Sequence, residues 1–382
     1  MPLALAFFTA FTVYGVASPY LPVLIRGLGY SPAVLGFLLG LFEVAGIAGP
    51  FLFGRLSDRL GRYRPPLVLA MLLILASLAP LALFRHPAVS AISLVVMAVG
   101  LRSMIPLLDA TATLSLGPSG DYGRIRTVGS VSFVLMALFL QYVPFLKPDR
   151  SVPIIIWIAV TCVATLASFT VLPDCDPAEL RSRRSGAVGG DHSRTWDRAF
   201  IAGLVMIGLG RIAMSPVTSF FSVYVVEELR WDAVGLLWAI SAGSEIPVMF
   251  LSAALIRRFG SPRLLALSVV AVAVRLAIYA LFPSPAGAVA GQLLHSLCYG
   301  LFHPAAIAFV ATSVPPERRA LGMAMYLSLG QGLPTFIGSA LGGFIVEGAG
   351  YRALFGSYII FAVAGLAVYF ATRNLLERPC RA

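Results

Sequence analysis

Charged residues are scarce in this chain of 382 residues: Asp, Glu, Lys and Arg together make up 12% of it. This is about half the share typical of soluble proteins. Lysine is nearly absent, since Lys147 is the single one, and histidine occurs four times. The hydrophobic fraction is 59% and the mean hydropathy is +0.90. Such a chain is expected to be a polytopic membrane protein with no room for a sizeable soluble domain.

Cysteines and catalytic patterns are equally sparse. The four cysteines are scattered, with no metal or redox spacing, at Cys162, Cys175, Cys298 and Cys380. No His-x4-Asp pair, serine elbow or metal-spaced cluster is present, which argues against a membrane enzyme. The net charge of +11 would suit nucleic acid, but the arginines lie mostly in alternate loops. We therefore expect no metal, no cofactor, no nucleic-acid partner and no enzymatic activity.

Long apolar runs are what the chain has in abundance. Each is about 20 residues, which at ~1.5 Å per residue spans a ~30 Å hydrocarbon layer. Twelve spans are predicted, at about 3–25, 33–56, 66–84, 88–113, 125–144, 151–172, 199–226, 232–256, 262–282, 286–312, 319–346 and 351–371. The predicted fold class is an all-α membrane protein.

The positive charges indicate the orientation. Of the 28 Lys and Arg residues, 19 fall in the even-numbered connections and the C-terminus, six in the odd-numbered connections, and three inside spans. Because basic loops stay on the cytoplasmic side, both termini are expected in the cytoplasm, and the membrane is expected to be the cell inner membrane.

The second half of the chain repeats the first. Ser18-Pro19 recurs as Ser215-Pro216, and Arg59-Leu60-Gly61 recurs as Arg258-Phe259-Gly260, at offsets of 197 and 199 residues. Such an offset indicates a duplicated six-helix unit whose two copies insert in parallel. We therefore expect two pseudo-symmetric bundles, 1–172 and 199–382, joined by a polar cytoplasmic linker at 173–198.

A short polar stretch, Gly54–Arg64, separates the second and third spans. Gly54 and Gly61 would allow close helix contact and a tight turn, and Asp58 could latch onto a helix N-terminus or an arginine. An ordinary positively charged loop is the alternative. The spacing of Gly54, Asp58, Arg59, Gly61 and Arg62 resembles the signature loop of the major facilitator superfamily (MFS) of transporters. The second copy, 255–263, lacks the aspartate.

Several ionisable residues lie inside the spans, where each costs about 2.5–3.5 kcal/mol on insertion scales. Their cost predicts that they face partners or water in a central cavity. They are Glu43, Arg102 and Asp109 in the first half, with Arg126 at the start of its fifth span, and Arg211, Glu245, Arg275, His295 and His303 in the second.

Three of these residues are predicted to share one layer. Glu245, Arg275 and His295 lie about 13, 7 and 9 residues from the outer face, or roughly 10 to 20 Å deep. Burial and a nearby arginine shift the pKa of a carboxyl group in opposite directions. Their balance would let a proton bind to the group or leave it near neutral pH. A static buried ion pair with a structural histidine is the alternative.

Family resemblance gives this set a role. The three residues resemble, helix by helix, the acid–arginine–histidine set of the lactose permease branch, and the runs around Trp238 and Gln292 look more like the phenylpropionate permeases. The resemblance implies proton coupling. Lactose permease carries a second acid one turn after the histidine, where this chain has Cys298. The proton-carrying role would therefore fall on Glu245.

The first half offers candidate substrate residues. Asp109 and Arg126 are expected to face each other across spans 4 and 5, where they could bind hydroxyls or a carboxylate. The segment 121–130 is similar to one in the lactose permease branch and in nucleoside–proton symporters, and that similarity implies an aromatic contact from Phe133. Arg126 could instead be the basic end of its span, and Phe133 plain packing. Glu43 and Arg102 could pair with each other.

These expectations converge on a secondary active transporter. The preferred function is proton-coupled uptake of a small organic solute (an aromatic carboxylate, sugar or nucleoside) by alternating access. The expected partners are the solute, protons and membrane lipid, and a monomer is expected. A proton-driven exporter on the same fold is the main alternative.

Overall fold

The computed structural model describes residues 1–116, 122–143, 151–172, 196–315 and 318–377. Most of the predicted linker and two predicted loops, which include Asp121 and Lys147, lie outside these ranges. The described residues are helical, with no strand among them. The helices are α1 Pro2–Gly27, α2 Pro32–Ala45, α3 Ala48–Leu60, α4 Arg64–Leu83, α5 Pro87–Leu116, α6 Tyr122–Tyr142, α7 Ser151–Phe169, α8 Arg198–Glu227, α9 Val234–Phe259, α10 Ser261–Leu281, α11 Pro285–Leu293, α12 Phe302–Ser313, α13 Arg319–Met325 and α14 Leu333–Leu376.

Helix starts follow local sequence rules. Proline opens α2 and α11, where its missing N–H would be unpaired in any case. The preceding serines cap both helices: Ser31 Oγ accepts from the Val34 N–H, and Ser284 Oγ accepts from the Gly287 N–H over 3.1 Å.

Eleven helical stretches of the described chain are long and apolar enough to cross a membrane. The last, Leu321–Leu376, has 56 residues, or about 84 Å at ~1.5 Å per residue, more than two crossings need. Gly350, at φ 79° and ψ 179°, is not helical and divides α14 there. This is where the sequence predicts the break between the last two spans. The protein is thus a multi-pass membrane protein whose helices account for the twelve predicted spans.

Three spans are less regular than predicted. The second is divided at Gly46-Ile47 into α2 and α3. Short π-helical segments interrupt two others: the first, π1, covers Ser296–Leu301 between α11 and α12, and the second, π2, covers Tyr326–Gly332 between α13 and α14. Isolated π turns inside α-helices occur frequently at functional sites.

The chain divides into two compact units. The first comprises Met1–Val188 together with Asp232–Ala239. Within it α1 packs on α6 and α7, while α5 packs on α2, α3 and α4. The Gln141 side chain holds the start of α9 in this unit, because its Nε2 donates to the Asp232 carbonyl over 2.6 Å and its Oε1 accepts from the Leu236 N–H.

The second unit comprises Gly189–Trp231 and Ile240–Ala382. Within it α14 packs along α8 and α10. Small residues allow this approach: Gly338 lies against Ser215, and Ser219 and Ser339 share a hydrogen bond of 2.7 Å. The sequence pattern Gly338–Gly342 predicts small-residue packing of this kind, and the prediction is confirmed.

Candidate functional site

Arg275 on α10 is the centre of a polar network in the second unit. Its side chain is completely buried. The guanidinium donates to Tyr279 Oη over 3.0 Å, to Gln292 Oε1, and to His295 Nδ1 over 2.8 Å. Three buried donors thus meet three neutral acceptors, and none of the ion pairs found among the described residues joins this cation to a carboxylate.

His295 connects this arginine to the acid. Its Nε2 lies 2.6 Å from Glu245 Oε1, so the ring bridges Glu245 and Arg275. A guanidinium has only donors, so Nδ1 must be the acceptor, and the neutral ring carries its proton on Nε2. That proton is donated to the carboxyl group of Glu245. The sequence prediction that the three residues lie together is therefore confirmed, while their role stays a prediction.

Local structure brings the acid close to the ring. Gly300 in π1 lies against Glu245, where an added Cβ would already be 3.3 Å from the glutamate Cγ. His295 immediately precedes π1. Glu245 keeps 19% of its side chain exposed, whereas Arg275 keeps none. The glutamate is therefore the more accessible of the two charged groups.

The sequence did not identify two members of this network. Tyr279 lies four residues after Arg275 on the same helix, and Gln292 lies three residues before His295. Each shares a helix face with a predicted site residue, so helical spacing could have found them. Cys298, at the position where the resemblance to the lactose permease branch led us to look for a second acid, is buried beside the Arg275 guanidinium.

Arg211 on α8 is a second buried arginine of this unit, with 8% of its surface exposed. Its Nη2 is 3.5 Å from Thr335 Oγ1, and its Nε has no hydrogen-bond partner. Arg211 lines a cavity of about 10 Å³ with Met214, Cys298 and Phe302. Its predicted position inside a span is correct, and within the described part of the chain it forms no ion pair with a carboxylate.

The first unit contains an ion pair at the break in its second span. Arg102 on α5 donates to Glu43 on α2, and its guanidinium also lies 5.6 Å from the Phe42 ring centroid. Gly46, at the end of α2, lies against the Arg102 side chain. A side chain at Gly46 would collide with the arginine, which explains why the chain has glycine there. The predicted pairing of Glu43 with Arg102 is confirmed.

Asp109 and Arg126 form a second cluster in this unit, with Tyr122 between them. The Tyr122 hydroxyl donates to Asp109 Oδ1 over 2.7 Å, and Arg126 is within electrostatic range of both. The guanidinium of Arg126 stacks 4.4 Å above the Phe11 ring. The predicted juxtaposition of Asp109 and Arg126 is confirmed.

Phe133, the predicted aromatic contact of the solute, is half-buried two turns beyond Arg126 on α6. Its contact with a solute stays a prediction. Phe11, which the sequence reading missed, supplies the aromatic ring that Arg126 stacks on. It is the tenth residue of α1 and carries no motif that would have marked it.

The polar stretch after the second span differs from its prediction. Helix α3 continues through Leu60, so Gly54, Asp58 and Arg59 lie on a helix and the turn is confined to 61–63. Gly61 ends the helix in the left-handed conformation, at φ 64°, as the tight turn requires. The predicted close contact at Gly54 is wrong, because an added Cβ there would meet nothing within 4 Å. The side chains of Asp58, Arg59 and Arg62 are exposed.

No group of three or more His, Cys, Asp and Glu residues that could hold a metal ion occurs in the described part of the chain. The polar clusters are instead acid, arginine and hydroxyl groups held inside apolar helices. Such sequestered ionisable groups are the usual sign of a solute or proton pathway in a membrane protein.

Apolar helices with these internal clusters define a membrane transporter, and comparison with known proteins supports this class. The model of the "MFS_1 like family" matches residues 1–357, and the chain belongs to that family. The "Probable 3-phenylpropionic acid transporter" of Escherichia coli (strain K12) is 27% identical over 373 residues, 96% of each chain. The maltose permease of Geobacillus stearothermophilus is 25% identical over 374 residues, 95% of this chain and 92% of the permease.

Solved structures agree on the fold. The crystal structure of the nucleoside transporter NupG superimposes with a TM-score of 0.81 at 18% identity, over 99% of this chain and 98% of NupG. The inward-open xylose transporter XylE from E. coli has a TM-score of 0.72 at 14% identity, over 96% and 94%. The predicted superfamily and fold class are confirmed. The protein is an MFS transporter of small solutes, not an enzyme.

Proposed function

We propose that this chain is a proton-coupled symporter that takes up a small organic solute by alternating access. The observation that carries the proposal is the continuous chain of hydrogen bonds from Glu245 through His295 to Arg275. Relatives named for phenylpropionic acid, maltose and nucleosides support the range of candidate solutes, which are an aromatic carboxylate, a sugar or a nucleoside.

The geometry supports Glu245 as the proton carrier. A second proton on His295 would have to sit on Nδ1, where it would face the Arg275 guanidinium at 2.8 Å. Protonation of Glu245 instead neutralises a partly exposed carboxylate and weakens the charge-assisted bond from the histidine. The histidine and arginine then gain freedom to rearrange, which would couple the proton to the conformational change.

The first unit would provide solute contacts. Asp109, Tyr122 and Arg126 offer an acceptor, a hydroxyl and a cation beside the Phe11 ring. The Glu43–Arg102 pair would support this unit at the break between α2 and α3. Asp58, Arg59 and Arg62 would serve as a gating segment, held by the turn at Gly61. Phe133 remains a weaker candidate for a solute contact.

The proposal extends to the setting of the protein. The excess of basic residues in even-numbered connections supports an inner-membrane location with both termini in the cytoplasm. We also propose that the six-helix bundles 1–172 and 199–382 act as the moving parts, joined by the segment 173–198. The transporter would function as a monomer surrounded by lipid.

A solute screen with pH recording tests the function. The purified protein is reconstituted into liposomes, and 3-phenylpropionate, maltose or uridine is added outside while external pH is followed, with protein-free liposomes as the control. Symport predicts external alkalinisation with one solute class, and accumulation that a protonophore abolishes. Accumulation that neither changes pH nor responds to the protonophore would contradict proton coupling.

The direction of transport needs oriented membranes. Symport predicts that right-side-out vesicles accumulate the solute when the outside is acidic. The exporter alternative predicts accumulation only in inverted vesicles with an acidic interior.

A further inference from the structure

The described spans of the second unit contain more positive than negative charge. Arg211 and Arg275 are both buried within their helices, whereas Glu245 is bound by His295. The other two carboxylates of these helices lie near helix ends: Glu227 is the last residue of α8, and Glu347 lies three residues before the break at Gly350. A buried charge without a counter-charge is costly in a membrane protein. Arg275 offsets part of that cost through three good acceptors. Arg211 has no comparable compensation.

One edge of the Arg211 guanidinium is poorly satisfied. The Nε atom has no partner, and the Nη2 contact with Thr335 at 3.5 Å exceeds the usual N–H···O range of about 2.7–3.2 Å. The Nε–H and Nη2–H bonds of an arginine point in parallel, which is the spacing that the two oxygens of a carboxylate match. The Nε–Nη2 edge of the Arg211 guanidinium is therefore available to bind the two oxygens of a carboxylate.

The surroundings of Arg211 contain neutral hydrogen-bonding groups and two irregular helices. Cys298, from π1, lines the same cavity, and Tyr326, from π2, is within electrostatic range. The cavity is about 10 Å³, near the lower limit for one water molecule, so an organic anion requires the helices to move. The two π segments are the places where these helices are already irregular.

We propose that Arg211 binds the carboxylate of an organic monoanion, which supplies the counter-charge that the second unit lacks. The inference rests on the proposed transport function and narrows it, because it favours an organic acid over a sugar or a nucleoside. A neutral solute would leave the arginine uncompensated.

The test compares acids with their neutral amides in the full-length protein. Binding of 3-phenylpropionate, cinnamate and benzoate, and of the corresponding amides, is measured with wild type, Arg211→Gln and Arg211→Lys. Arg198→Gln, an exposed position on the same helix, is the matched control. We expect wild type to favour at least one acid over its amide by about tenfold or more, Arg211→Gln to lose that preference, and Arg211→Lys to retain part of it.

Thermal unfolding separates a ligand-binding role from a structural one. Because Arg211→Gln removes an uncompensated buried charge, its ligand-free melting temperature should equal or exceed that of wild type. A lower melting temperature or failure to fold would assign Arg211 to the structure and overturn the proposal. Unchanged acid preference in Arg211→Gln, or binding of amides, maltose or uridine but of no acid by wild type, would also overturn it.

Solute-dependent proton movement, measured in the liposome assay of the proposed function, distinguishes the failure of this carboxylate site from the failure of the symport proposal. If maltose or uridine enters with protons in both wild type and Arg211→Gln, the symport proposal stands and the carboxylate site fails. If no solute moves protons in wild type, the symport proposal itself fails.

Discussion

The Nη1 atom of Arg275 donates to Nδ1 of His295 over 2.8 Å, which leaves the ring proton on the opposite nitrogen, facing Glu245. The arginine therefore determines which tautomer the histidine adopts. It also makes a doubly protonated ring unfavourable, because both groups would then present N–H bonds to each other. Glu245 is therefore the member of the network that we propose as the proton carrier.

The effect of substituting His295 on transport should depend on whether the replacement can accept and donate hydrogen bonds. Glutamine offers an acceptor and a donor and can partly replace the ring between Arg275 and Glu245, whereas leucine offers neither. We expect His295→Gln to keep measurable proton-driven accumulation and His295→Leu to lose nearly all of it. Solute uptake against a gradient measures the difference at equal protein levels. Equal activity of the two variants would contradict a bridging role for the ring.

Loss of Arg275 should destabilise the protein. Arg275→Gln leaves the buried acceptors of Tyr279, Gln292 and His295 partly unsatisfied, at about 1–3 kcal/mol for each group that finds no partner. We expect a melting temperature several degrees below wild type in detergent. Arg352→Gln is a control at an exposed arginine and should change little. A melting temperature equal to that of wild type would mean that the network does not contribute to stability.

Alanine substitutions at Gly54 and Gly61 should change the stability of the protein in opposite directions. Gly61 is in the left-handed conformation, which costs a residue with a Cβ about 1–2 kcal/mol, so Gly61→Ala should lower the melting temperature. Gly54 is inside α3 with open space around it, and Gly54→Ala should raise stability by about 0.5–1 kcal/mol. Thermal unfolding of both variants provides the comparison. The same sign for both would contradict the helix end at Leu60.

The Glu43–Arg102 pair should show energetic coupling. In a double-mutant cycle with Glu43→Gln and Arg102→Gln, we expect a coupling energy of roughly 0.5–1 kcal/mol, the low end for contacting residues, because the arginine is 38% exposed. Unfolding of the two single variants and the double variant measures it. Additive effects would indicate that the two charges act independently.

The sequence predicted the parts of the structure that depend on strong local signals. Apolar run length gave the spans, and the high cost of buried charge marked Glu245, Arg275 and His295 as neighbours. The left-handed turn at Gly61 followed from its residue type. These predictions succeed because membrane burial constrains composition so tightly.

Other features depended on tertiary packing that the sequence does not encode locally. Phe11 and Tyr122 became partners of Arg126 and Asp109 only because α1, α5 and α6 pack together. Phe11 carries no local signal, and the position of Tyr122 in the 121–130 segment did not reveal its bond to Asp109. The continuation of α3 through Leu60 placed Asp58 on a helix, because charged residues tolerate the end of a helix as well as a loop. The π segments likewise have no simple sequence signature here.

The most direct test of the account is the behaviour of Glu245→Gln in liposomes that record solute and pH together, with Glu377→Gln, at the end of α14, as the control. Glutamine keeps the size of the side chain and an acceptor for His295 but cannot take up a proton. The account predicts that Glu245→Gln loses uphill accumulation and solute-dependent alkalinisation while retaining part of the exchange down a solute gradient. Full proton-driven accumulation by Glu245→Gln would contradict it.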